Sequence, residues 1–361
     1  MDAGEPPIRH SNPRCLLLCG FPASLGSVQN RSFLQSARFR TTRNDCLAAV
    51  RSLNPVSRMF SSVPDFKAWF PDIEEFPRPD WKAIRAWIGQ NVSADQLDEA
   101  WQAITREWLQ MICDRLGGSY VVAESQSFHL VSELDEAKQI DLLTFLERAR
   151  TRILRQLGDI SLPKTHGKHV ILRFSEDEDY YRYIAYFDSE GEYAGSSGNF
   201  LRRGYRHIAY PHRDTPGSDR ATLVHELTHN LLVSFPLPAW LNEALAMAFE
   251  RDVAGRASPL LTRELAEEHR AYWNPQIIQE FWRGLSFSQV AGQKLSYSLA
   301  RILLNLIATE LRPPPAHFRD FVLHADRKDA GQSAAQEYLE IDLSDVVATF
   351  LGPGEWAPKA S

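Results

Sequence analysis

Residues 218–233, with the prolines that stop them, restrict this chain more than any other stretch. Val224, Leu227, Leu231 and Leu232 recur at helical spacing, which predicts one amphipathic helix with its apolar stripe on a core. Pro216-Gly217 precedes it, and Ser218 or Asp219 is the expected N-cap. Phe235-Pro236-Leu237-Pro238 ends it, because proline has no amide hydrogen to continue the ladder. A second helix restarts near Ala239 and runs to about Glu250, with Trp240, Leu241, Ala244, Leu245 and Ala248 as its stripe. Within the first helix His225 and His229 are four apart and share one face, so their ring nitrogens can meet at one cation. Glu226 lies on the shoulder of that face, within reach of a water on the same cation. Glu243 has Ala239, Ala246 and Met247 three and four residues away. None is a cation, and a carboxylate so placed needs a partner. A zinc ion would supply one.

His225-Glu226-Leu227-Thr228-His229 is an HExxH arrangement. Together with Trp240-Leu241-Asn242-Glu243-Ala244-Leu245-Ala246, it resembles the gluzincin group of zinc metallopeptidases, in particular the peptidase-MA-like families. The chain departs from their second motif at Ala244, where glycine is usual. The resemblance covers roughly residues 168–311. It implies a zincin-like fold, a peptide or protein substrate, and Zn2+ bound by His225, His229 and Glu243. Two imidazoles and one carboxylate leave a fourth zinc position for water. The metal lowers the pKa of that water to about 7, and Glu226 is the expected general base. Relatives in that group often stabilise the oxyanion with a tyrosine or histidine well after the third ligand. Tyr297, 54 residues after Glu243, is the first choice for that role, against a packed tyrosine bonded to backbone. His269 is the second choice, against a solvated helix residue. The alternative to an active peptidase is a catalytically inactive zinc-binding scaffold or interaction protein with a peptidase-like fold. An intact Glu226 argues for catalysis, since a structural site does not need it.

The net charge of −6 and a pI near 6.0 give no sign of a nucleic-acid binder. Tyr180, Tyr181, Tyr183 and Tyr186 could form a stacking platform, but Glu176, Asp177, Glu178 and Asp179 beside them would repel phosphate. No apolar run approaches the length of a membrane helix. Cys15, Cys19, Cys46 and Cys113 are too scattered for a zinc cluster or a disulfide framework. The reading is a soluble chain, cytoplasmic slightly favoured over exported, with no oligomeric state assigned. Residues 1–60 hold eight arginines, no lysine and three acids. They read as a disordered or non-native extension, with a targeting segment as the alternative.

The remaining chain predicts an α+β protein, mostly helical, with a small mixed sheet beside the HExxH helix. Its expected divisions are a helical N-terminal region with short strands at 61–165, a zincin-like core at 166–312, and a helical cap at 313–361. Helices are expected at 81–88, 94–116, 137–157, 176–187, 261–273, 275–282, 295–311, 317–325 and 344–351. Strands are expected at 120–122, 128–131, 169–174 and 205–210, with a hairpin connection at 191–198. His129 alternates with apolar residues and reads as a packed strand residue. The strand at 206–210 either borders the cleft, where it could pair with an extended substrate, or is an ordinary internal strand.

Overall fold

The computed structural model describes residues 66–70, 75–158, 160, 162, 166–187, 197–202, 204–213, 217–255 and 261–359. The expectations for residues 1–60 and for the turn at 191–196 lie outside them. A 3-10 turn at Phe66–Trp69 precedes α1 (Trp81–Asn91), which is capped by Asp80, whose carboxylate accepts from the amides of Lys82 and Ala83. Helix α2 (Leu97–Leu116) buries Ala100, Ile104, Trp108 and Ile112 and ends at Gly117, where a φ of 72° suits glycine. Strands β1 (Val121–Glu124) and β2 (Phe128–Ser132) pair antiparallel, and α3 (Glu136–Gln156) follows. Next come β3 (His169–Phe174), α4 (Asp177–Phe187), β4 (Asn199–Leu201) and β5 (His207–Pro211).

These strands form one mixed sheet in the order β1-β2-β3-β5-β4. The central pairs β2–β3 and β3–β5 are parallel, and the two edge pairs are antiparallel. The sheet runs across residue 165, because Phe128 of β2 pairs His169 of β3. Successive strand side chains point to opposite faces, and each face has its own core. Ile171 and Ile208 belong to one cluster, with Leu143 and Leu146 of α3. Val170, Leu172 and Ala209 belong to the other, with Ile104 and Trp108 of α2 and Tyr183 of α4.

The strand at 206–210 is therefore internal: β5 has β3 on one side and β4 on the other. Both its ladders are used, so it cannot accept a substrate strand. The edge beside it is β4, three residues long and not anticipated from the sequence. Its single turn of alternation, Asn199-Phe200-Leu201, is too short to show a period.

Helix α5 (Ser218–Leu232) follows β5, and α6 (Ala239–Ala254) packs along it. The N-cap is Gly217, at φ 78°, and not Ser218 or Asp219. Asp219 is drawn instead to the chain before the helix: Arg213 N donates to its carboxylate at 3.3 Å, and His212 Nδ1 lies 3.2 Å away. The C-terminal half is helical: α7 (Arg263–Tyr272), α8 (Ile277–Trp282), a 3-10 turn at Leu285–Phe287, and α9 (Gln293–Leu306). The last turn expected of α9 is a π-helical turn, Ile307–Leu311. Then come α10 (Pro315–His324), α11 (Gln332–Leu339) and α12 (Leu343–Leu351). Helix α11 was not expected, because its buried contacts are made by Ala334 and Ala335, which leave no apolar stripe to read. Val346 of α12 and Trp356 join the same core as α5 and α6, so that core runs across residue 312. No helix among the described residues is long and apolar enough to cross a membrane.

Candidate metal centre

Helix α5 buries Leu223, Val224, Leu227 and Leu231, which turns His225 and His229 toward α6. Helix α6 buries Trp240, Leu241, Ala244 and Leu245, and Trp240 Nε1 donates to the Ala330 carbonyl at 2.9 Å, which locks the start of the helix. Glu243 then faces both histidines. Its Oε2 lies 3.3 Å from His225 Nε2 and 3.5 Å from His229 Nε2. The two imidazoles stand nearly perpendicular, with centroids 4.8 Å apart and planes at 79°. One ligand atom from each of the three residues falls within 4.8 Å of the others.

The two nitrogen–oxygen separations suit a cation. Ligand atoms about 2.0–2.2 Å from a tetrahedral ion lie about 3.3–3.5 Å apart. Glu243 Oε2 is buried, and neither nitrogen meets it with hydrogen-bond geometry. A buried carboxylate oxygen without a donor is costly, and a shared cation would remove that cost. Burial pushes the Glu243 carboxyl up, but His229 and His225 reverse this and hold it well below the usual carboxylate range. Burial pushes His225 down, while Glu243 and Glu250 bring it up to about 10. A metal ion binding here would displace any proton from this ring. His229 Nδ1 is buried without a hydrogen-bond partner among the described residues.

Glu226 lies on α5, the helix against which β4 packs. Burial raises the Glu226 pKa, and the nearby histidines only partly oppose this. A raised carboxylate pKa suits a group that must take up and release a proton.

Tyr297 sits on α9, half-buried, with its ring in edge contact with Phe287 at 5.3 Å. Burial raises its pKa, and the negative charges of Glu243 and Glu226 add to the rise. The backbone hydrogen bond of a purely packed tyrosine is not among its contacts with the described residues. His269 is the opposite case. It is fully buried and not a solvated helix residue. Trp273 Nε1 donates to its Nδ1 at 2.9 Å, which leaves Nε2 to donate to Ser298 Oγ at 2.9 Å. Burial lowers its pKa to about 4. With both nitrogens committed, His269 has no donor left for an oxyanion. His129 is a packed strand residue, as its alternation predicts, fully buried and lowered to about 3 by burial and by Lys168.

One participant is absent from the sequence reading. Glu250 Oε2 lies 3.4 Å from His225 Nδ1. It is seven residues after Glu243, two helical turns along the same face of α6. That spacing was the available signal, hidden because Glu250 sat at the expected end of the helix.

Fold and cluster together define an α+β protein with a candidate cation site between two adjacent helices. No family profile matches the sequence, and no curated protein matches it significantly.

Proposed function

We propose that this protein is a zinc-dependent metallopeptidase of zincin-like fold that hydrolyses peptide bonds in a peptide or protein substrate. The observation that carries the reading is the approach of His225 Nε2 and His229 Nε2 to one buried, unsatisfied oxygen of Glu243. Those three residues would hold the ion. When bound, zinc polarises a carbonyl and makes hydroxide available at neutral pH. Glu226 takes the proton of the attacking water and delivers it to the leaving amine. Glu250 holds the His225 ring through Nδ1. Tyr297 donates its phenol hydrogen to the oxyanion that develops on the substrate carbonyl.

Strand β4 gives the substrate its direction. It is the sheet edge that packs against α5, and among the described residues its outer side carries no other strand. An extended peptide can add to that edge by backbone hydrogen bonds, which brings its carbonyls past Glu226. The test is metal analysis of the purified protein, followed by a peptide-library digest with and without chelator. Stoichiometric zinc with chelator-sensitive cleavage is expected. Zinc without cleavage over a broad library would leave a zinc-stabilised scaffold, and absence of zinc binding would overturn the reading altogether.

A further inference from the structure

A second cavity, of about 530 Å³, opens at the N-terminal ends of β3 and β5, against the far face and C-terminal end of α5. None of His225, Glu226, His229 and Glu243 lines it. Its charged lining is of one sign: Arg85, Arg150, Lys168 and Arg206, with no carboxylate among the lining residues. Lys168 is neutralised by Glu124, 2.9 Å away. The three arginines have no such partner among the described residues. Among the described residues, Arg150 and Arg206 form no ion pair, and Arg85 makes only a long 3.4 Å hydrogen bond to the Gly204 carbonyl. Three carboxylates border this region, and among the described residues none pairs with these arginines. Glu124 also binds Arg106, Asp98 binds His166 at 3.0 Å, and Glu147 accepts from Ser125 and the Ser127 amide.

Two buried donors in the same wall are unspent. Arg150 Nε is buried without a hydrogen-bond partner among the described residues. Asn230, only 6% exposed, directs Oδ1 to His169 Nδ1 at 3.2 Å, and its buried Nδ2 has no partner among the described residues. Burial and the charges of Arg150 and Arg206 together lower His169 to about 4, and all three residues line the cavity. A neutral His169 then donates from Nδ1 to Asn230 Oδ1, and this fixes which way the amide faces. Water could satisfy single donors, but it would not neutralise three guanidinium charges held around one space.

We propose that this cavity is a binding site for a small organic phosphate, and that a diphosphate end is its main determinant. Guanidinium forks match phosphate oxygens two at a time. Three of them suit more negative charge than a single carboxylate carries. The cavity is larger than an inorganic anion needs, and the indole of Trp101 lines it beside the cations. That wall takes the organic part of the ligand. The site is independent of the metal centre and holds whether or not the protein is a peptidase.

The experiment is calorimetric titration of the full chain with inorganic pyrophosphate at fixed ionic strength, then with a nucleoside diphosphate, inorganic phosphate and sulfate. Saturable 1:1 binding of pyrophosphate is expected, tighter than phosphate or sulfate. Arg150→Gln with Arg206→Gln should weaken it by roughly a hundredfold or more, since each charge-assisted contact is worth about tenfold. Arg85→Gln removes a cation from an exposed position and cannot unfold the protein by emptying a core, so it tests the site even if the double variant is unstable. It should weaken binding roughly tenfold. Binding of pyrophosphate no tighter than sulfate, or affinity unchanged in Arg85→Gln and in a folded Arg150/Arg206 variant, overturns the proposal. So does capture of an acidic peptide at this site in preference to pyrophosphate.

Discussion

The imidazole of His225 stands between two carboxylates of one helix, with Nε2 3.3 Å from Glu243 and Nδ1 3.4 Å from Glu250. One ring nitrogen faces the candidate ion, and the other is held from behind. A carboxylate behind a ligating histidine fixes the ring and raises its basicity. Glu250→Ala should therefore weaken zinc binding about 10–100-fold, while Glu250→Gln, which retains an acceptor, should lose less. A chelator-competition titration measures both. Equal zinc affinity in Glu250→Ala and the original protein would remove Glu250 from the site.

The three ligands should be separable from the base. Replacing His225 and His229 together by Ala should abolish stoichiometric zinc by elemental analysis, and full retention would refute the assignment. Glu226→Gln keeps the side-chain size and removes the base. It should bind zinc as before and lose nearly all turnover.

Tyr297→Phe removes a hydroxyl that has no hydrogen-bonded partner among the described residues. Stability should change little. If the phenol donates to the oxyanion, kcat falls by ~10²–10³ with KM and zinc content nearly constant. Loss of stability with intact kcat would mean a packing role instead.

Acid sensitivity should come partly from buried neutral histidines. His207 is 1% exposed, and its Nδ1 donates to the Tyr205 carbonyl at 2.7 Å, so its Nε2 accepts from the Tyr183 hydroxyl at 2.8 Å. Burial lowers its pKa from 6.5 to about 4. Unfolded His207 takes up a proton below pH 6.5 while the folded form stays neutral, so its contribution is complete above that pH. It is lost as the pH falls from 6.5 toward 4, by an amount on the order of 3 kcal/mol. Urea unfolding at pH 7, 5.5 and 4.5 should show this slope, and His207→Gln should flatten it by about one proton. An unchanged slope in that variant would place the acid sensitivity elsewhere.

What the sequence determined by itself is local. The spacing of His225 and His229 puts both on one face of any helix that contains them, and Pro236 and Pro238 end that helix whatever surrounds it. The apolar stripe of α6 likewise leaves Glu243 on its other flank. Four strands and most helices were legible for the same reason, since a run longer than one period carries its own pattern. Tertiary structure decided what depends on partners distant in the chain. Asn199–Leu201 became the sheet edge, and of the two readings left open for the strand at 206–210 the internal one holds, because strand order is set by which faces find a core. His269 became buried because Ser298 and Phe350 close over it. Glu250 met His225, and Arg150 met Arg206 around one cavity, because packing of helix on helix and on sheet brings side chains together without regard to their separation in sequence.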